Sequence, residues 1–359
     1  MKKPLSRRDF LRLAATGAGA LALNEVLTAC GVESTQTDKS VPTASHNTAT
    51  SEPTVTDAPL PTTQIPQNTA TLEVDPTTAP EPTSTATEIP CPDLVVVRNG
   101  EPEQMVRQAL SAMGGIEKYV PSGSDVIIKP NICVDFRNYE WAATSNPWVV
   151  GALVKMCFEA GAARVRVMDQ TWKRNMTKAY QESGIQEQVE AAGGEMEWMP
   201  VEKFVPTAAP KGIELQTFDI YDEILNTDVF INVPVAKHHM DAKLTLAMKN
   251  LMGIISDRPI IHKNFGQRIA DLASVIRPTL NVMDAVRVMK KNGPIGYFLK
   301  DTESMDTIIV SEDMVAIDSY TTRLFDMKPE DLDYVVCAAE MGIGRSDIEN
   351  LLIEEFNIS

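Results

Sequence analysis

The sequence predicts an α/β domain over residues 93–359, a mainly parallel, doubly wound sheet flanked by helices. Two observations carry this. Short β-branched runs alternate with amphipathic helical stretches, the pattern of strand–helix–strand units. Polar and charged residues recur where each apolar run stops, which in an open parallel sheet is the edge where ligands bind.

Each element has a local reason. "DLVVVRNG" is the first strand and "EPEQMVRQALSAMGGIEKYV" the helix after it. "DVIIKPNIC" is a strand whose apolar run stops at Lys129-Pro130-Asn131. In "SNPWVVGALVKMCFEAGAARVRVMDQ", Asn146 suits an N-cap and Pro147 the first helical position, where its missing N–H costs nothing. Gly161 ends that helix as a left-handed C-cap, and the next strand stops at Asp169. "KAYQESGIQEQVEAAGG" is helical and broken near Gly184. "DVFINVPVAKHH" is a strand that runs into Lys237-His238-His239. "RPTLNVMDA" stops at Asp284, and "MDTIIVSEDMVAIDSYTTRLF" turns at Ser311-Glu312-Asp313 into a helix carrying Asp318.

If the strands are parallel, Lys129, Asn131, Asp169, Lys237, His238, Asp284 and Asp313 gather on one rim. Asp241 is expected to start a helix to about Met252, with Lys243, Ala247 and Asn250 on one stripe, Thr245 and Lys249 on another, and Gly253 closing it. A second helix follows Asn264, whose spacing to Gln267 suits a capping box, with His262 just ahead of it. Helix N-termini, ammonium groups and imidazoles together fit a carboxylate or phosphate. In this reading Lys129, Lys237 and Lys249 hold the anion and Asn131 and Asn250 orient it. His238 and His262 move protons, and Asp169, Asp284 and Asp318 orient them or ligate a cation. A metal held by His238, His262 and one of Asp169, Asp257 or Asp284 is the competing use, without HxH or HxxxH spacing to support it. Trp172 either walls this pocket or simply packs.

The N-terminal quarter is different material. "LSRRDFLRL" at residues 5–13 resembles a twin-arginine export signal, and "AATGAGALAL" after it is too short to span a membrane. "LTAC" at 27–30 resembles a lipobox, in which Cys30 is lipidated and becomes the mature N-terminus. Residues 1–29 are thus expected to be a signal read by the twin-arginine machinery, and the mature chain to be held outside the cytoplasmic membrane by its lipid. Residues 30–92 are rich in Thr, Pro, Ser and Ala and cannot bury enough apolar area to offset chain entropy, so they read as a disordered tether. His46 within them is not a ligand candidate.

The formal charge of −16 argues against a nucleic-acid surface. Of the five cysteines, Cys91, Cys133, Cys157 and Cys337 form no C-x-x-C pair, and Cys133 alone lies near other polar candidates. The phosphate loop G-x-x-x-x-G-K-[ST] and the G-x-S-x-G elbow are missing, so nucleotide hydrolysis and serine-hydrolase chemistry carry little weight.

Taken in order, "KPN" (129–131), "NPWVVGALVKMCFEAGAARVRVMD" (146–169), "VPVAKHH" (233–239), "LAMKNLMG" (246–253), His262 and "EDMVAID" (312–318) resemble the DUF362 family across residues 93–350. The resemblance implies the fold and the site positions and brings no reaction with it. Some members are fused to iron–sulfur ferredoxin modules. This chain lacks their cysteine run, so a cluster built by it alone is not expected. The sequence reading is therefore an exported, lipid-anchored enzyme acting on a small anionic substrate or cofactor, with redox or metal-dependent chemistry left open. The alternative is a non-catalytic solute-binding lipoprotein.

Overall fold

The computed structural model describes residues 91–172 and 175–358. The export signal, the lipidation site at Cys30 and nearly all of the expected tether lie outside them. In chain order the strands are β1 (Leu94–Arg98), β2 (Asp125–Pro130), β3 (Arg164–Val167), β4 (Glu195–Met196), β5 (Phe204–Ala208), β6 (Thr217–Tyr221), β7 (Val229–Val233), β8 (Val235–His239), β9 (Lys243–Thr245), β10 (Leu280–Met289), β11 (Thr302–Ser311) and β12 (Ile353–Asn357). The helices are α1 (Pro102–Ala112), α2 (Pro147–Glu159), α3 (Met176–Glu182), α4 (Ile185–Ala191), α5 (Asp222–Asn226), α6 (Ala247–Asn250), α7 (Phe265–Ala273), α8 (Met314–Thr321) and α9 (Asp333–Glu340), with short 3-10 turns between them.

The main sheet has the order β12-β1-β11-β10-β7-β2-β3-β4, with β8 beside the far half of β10 and β9 beside β8. β10, β7, β2, β3 and β4 are mutually parallel, and β12 is parallel to β1. β11 runs against both of its neighbours and β9 against β8, so the expected mainly parallel α/β sheet is present with two reversed strands. β5 and β6 form a separate hairpin.

The period-2 alternation of each strand divides the core in two. Val95, Val97, Val126, Ile128, Val165, Val167, Ile231 and Val310 pack under α1, α2 and α4. Leu94, Val96, Ile127, Phe230, Met283 and Ile309 pack on the other face under α6 to α9. Lys129 and Asn232 continue the second set, two residues beyond Ile127 and Phe230, and are register partners in β2 and β7. The apolar alternation thus delivers two polar side chains into a helix-covered face. Asn146 caps α2 by accepting from Trp148 N, and Asn264 caps α7 by accepting from Gln267 N, as their spacing predicts.

Three elements depart from expectation: "DVFINVPVAKHH" is two strands broken at Pro234, the strand expected to stop at Asp284 runs on to Met289, and a helix is shortened. Residues 241–252 are not a single helix, because Lys243–Thr245 pairs with β8 as β9 and the helix starts only at Ala247. Turn and strand chemistry won over the helical spacing. Lys243 is thereby exposed and directed to Asp333 rather than sharing a stripe with Asn250.

Candidate functional site

Where β2, β3 and β8 end, a buried group of cations collects against α6 and the turn that follows it. Lys129, at the end of β2, has its ammonium 2.7 Å from Asp169 Oδ1 and donates to Pro130 O at 3.0 Å. The second carboxylate oxygen of Asp169 accepts from Ile132 N at 2.7 Å, so it braces the chain leaving β2. Burial lowers the Lys129 pKa and the Asp169 charge opposes that shift. Gly253 lies directly above this pair, where an added Cβ would stand 2.6 Å from Lys129 Nζ.

Lys237, from β8, donates to Asn131 Oδ1 and to Ala143 O, both at 2.7 Å. Asn131 begins a chain of side-chain amides. It donates to Asn250 at 2.9 Å, Asn250 donates to Asn232 at 2.9 Å, and Asn232 donates to Asn281 at 3.0 Å. These four amides from β2, α6, β7 and β10 fix the floor of the site. Asn131 and Asn250, expected to orient a ligand, are instead committed to Lys237, to Asn232 and to each other.

Lys249 occupies the last turn of α6, between the buried apolar residues Met248 and Leu251. It is 8% exposed, and among the described residues no hydrogen bond or ion pair reaches its ammonium. The ammonium stands 5.5 Å from the centre of the Phe265 ring. Burial brings its pKa down to about 7; Lys237 and then Arg258 push the same way, while Cys133 and Asp241 pull against them. Arg258 donates to the carbonyl oxygen and to the side chain of Gln170, and its Nε is buried without a partner. Cys133 is a partly exposed free thiol near enough to act electrostatically on Lys237, Lys249 and Arg258.

The balance of charge is one-sided. Lys129 is matched by Asp169. Lys237 and Arg258 meet carbonyls, amides and, for Lys237, the Cys133 thiol, and share the more distant Asp169 charge; Lys249 meets an aromatic ring. Buried charges are costly unless paired, so this arrangement suits an anion.

The histidines divide differently from expectation. Successive strand residues face opposite ways, so His239 accompanies Lys237 and His238 does not. His238 is half-buried and accepts from Gly293 N at 3.2 Å. His239 accepts from Asp241 N and Ala242 N at 3.2 Å, closing the β8–β9 turn. Burial first, then the Lys249 and Lys237 charges, push it down to about 2, so it stays a neutral acceptor. His262 is exposed, its Nδ1 3.1 Å from Arg258 O and its ring 4.7 Å from the Phe265 ring centre.

Three further aspartates are committed to backbone N–H groups away from the cation group. Asp284 faces the α2 side of the sheet and accepts from Asn146 N at 2.6 Å and Val286 N at 3.1 Å. Burial pushes it up to about 7 despite those bonds. Asp318, pushed up to about 8 by burial, accepts from Ala247 N and Met248 N and so caps α6 from below. That cap also consumes the free N–H groups that an anion would have used. Asp313 follows the reversed β11 and caps α8 through Val315 N and Ala316 N, at the opposite end of the sheet. Among the described residues no three His, Cys, Asp or Glu side chains are grouped to hold a metal ion. Asp169, Asp284 and Asp318 meet Lys129, the Asn146 N–H and the first N–H groups of α6 respectively.

Sequence reasoning passed over Arg258 and gave His239 no role. Arg258 sits in a 3-10 turn with no strand end or helix start to mark it. The alternation of β8 could have chosen His239 over His238. Trp172 donates its backbone N–H to Cys133 O at 2.9 Å, which brings its loop beside the site.

The fold and this buried group sit within a recognised family. DUF362, a domain of unknown function, matches residues 126–323, and the chain belongs to that family. A thylakoid-associated protein of Synechocystis sp. is 22% identical over 256 residues, covering 68% of this chain and 76% of the relative. Two solved structures show a low-scoring similarity. The lactate racemase apoprotein from Thermoanaerobacterium thermosaccharolyticum has a TM-score of 0.35 at 13% identity, over 54% of this chain and 50% of that one. A Thermotoga maritima protein has a TM-score of 0.38 at 10% identity, over 67% and 60%.

Proposed function

We propose that this DUF362 protein is exported, held to the membrane by a lipid on Cys30, and binds a small anionic substrate or cofactor between Lys237, Lys249 and Arg258. The observation that carries this reading is the buried Lys249 ammonium, which among the described residues has no counter-charge in contact and feels the charges of Lys237 and Arg258. An anion would supply the missing charge, and charge-assisted hydrogen bonds to three cations would hold it firmly. Lys129 serves the site through Asp169, and the four asparagines keep Lys237 in place. In the enzymic form of this reading, proton transfer falls to Lys249, whose pKa of about 7 suits exchange near neutrality.

One observation favours binding without reaction. His238 turns away from Lys237, and His262 is exposed and meets only the backbone carbonyl of Arg258, so among the described residues neither imidazole hydrogen-bonds the charged group of Lys237, Lys249 or Arg258. A solute-binding lipoprotein would need the cations and no proton carrier.

Native mass spectrometry of the full chain purified from its host tests the anion. Retention of a small anion by the wild type and its loss in Lys249→Met supports the reading. An empty wild-type protein, or equal retention in the variant, contradicts it. Fractionation tests the anchor separately: Cys30→Ala should move the protein from the membrane to the soluble fraction, and unchanged membrane association would rule the anchor out.

A further inference from the structure

We propose that Lys249 is a covalent nucleophile, and that the anion it meets is a 2-oxo carboxylate captured as an imine on its amine. This rests on the anion-binding reading above and adds a reaction to it. The argument begins with position. Lys249 is 8% exposed, its nitrogen stands 5.5 Å from the centre of the Phe265 ring, and among the described residues nothing hydrogen-bonds that nitrogen. The other two cations are differently held. Lys237 donates two hydrogen bonds at 2.7 Å, and Arg258 is a guanidinium tied to Gln170. Lysine amines become nucleophilic when they are desolvated or placed beside another cation. Lys249 meets both conditions, and its pKa of about 7 leaves a substantial neutral fraction at neutral pH.

The substrate class follows from the neighbours. Lys237 and Arg258 call for a carboxylate. The Lys249 amine calls for a carbonyl carbon close to it, and a 2-oxo carboxylate carries both on adjacent carbons. The neutral amine attacks the carbonyl carbon, a C–N bond forms, and the carbonyl oxygen takes up protons and leaves as water. The products are one imine and one water, with no oxidant or reductant consumed. The imine withdraws electrons from the substrate carbon and so activates the bonds beside it.

The test uses the full chain, pyruvate as probe and sodium cyanoborohydride, which reduces an imine to a stable secondary amine. Peptide mapping should then find a carboxyethyl group on Lys249, saturating with pyruvate and suppressed by propionate, which has the carboxylate but no carbonyl. Lys249→Arg keeps the charge and should abolish the adduct. If that variant does not fold, the propionate suppression in the wild type decides. Should pyruvate bind, by calorimetry, without labelling Lys249, the imine is wrong and the anion site stands. Should exposed lysines such as Lys211 label as fast as Lys249, the imine is also wrong. Neither binding nor labelling by any small anion would remove both.

Discussion

Lys129 and Asp169 meet at 2.7 Å with both side chains almost wholly removed from solvent, and the backbone of Gly253 closes over them. The pair joins the ends of two adjacent parallel strands. Its worth lies in what happens when half is removed, since breaking a buried ion pair costs about 3–5 kcal/mol. Lys129→Met and Asp169→Leu should each lower unfolding free energy by that order in urea titrations. The double variant should recover much of the loss, because an apolar pair is often as stable as the ions it replaces. Strictly additive losses would show that the two charges are not coupled.

Gly253 gives a steric prediction at the same place. Its φ is not left-handed, so space and not backbone freedom requires glycine. Gly253→Ala would set a methyl 2.6 Å from Lys129 Nζ, against the charged pair. A loss of about 1–3 kcal/mol in stability is expected, as for other overpacked sites. An unchanged melting midpoint would mean that the turn after α6 shifts freely.

The fold was largely legible because alternating apolar runs and helix caps are local signals. Lys129, Asp169 and Lys237 come together at strand ends as their spacing predicts. The misplacements share a physical cause. Asp313 was assigned to the wrong rim because strand direction is set by tertiary pairing, and β11 reads the same in either direction. The sequence reading ends a strand at Asp284, but β10 continues to Met289 and Asp284 accepts from the Asn146 N–H at the start of α2. Lys243 left its expected stripe because pairing with β8 overrode helical spacing. Arg258 lies in an irregular turn, where no periodicity marks it.

Histidine roles separate by alternation along β8. His238→Ala should leave anion affinity within about twofold, because its ring accepts from Gly293 and not from the cation group. A variant of the same type at His239 removes the acceptor for two turn N–H groups and should cost about 1–3 kcal/mol of stability. A large loss of affinity in His238→Ala with no loss of stability would restore the role first expected of it.

Lys249 makes stability depend on pH with a defined sign. Its folded pKa of about 7 lies below its ordinary 10.5. Below about 7 both folded and unfolded chains are protonated there, and the folded state bears the whole cost of burial. Between the two values the unfolded chain holds the extra proton, so stability rises as pH rises through that window. Lys237, Arg258, Cys133, Asp241 and His239 are the groups that act on it electrostatically. Lys249→Met should be more stable than wild type at about pH 6 and should flatten the rise, measured as urea midpoints against pH. A profile that is identical in the variant would mean that Lys249 is not desolvated.

The most direct test of the anion site is titration calorimetry of the full chain with pyruvate at about pH 6, where Lys249 is mainly charged. The wild type should show one saturable site, and Lys249→Met should bind at least about tenfold more weakly, the loss of one charge-assisted contact. Equal affinity in the two proteins, or no saturable binding of pyruvate, phosphate or sulfate by the wild type, would contradict the account.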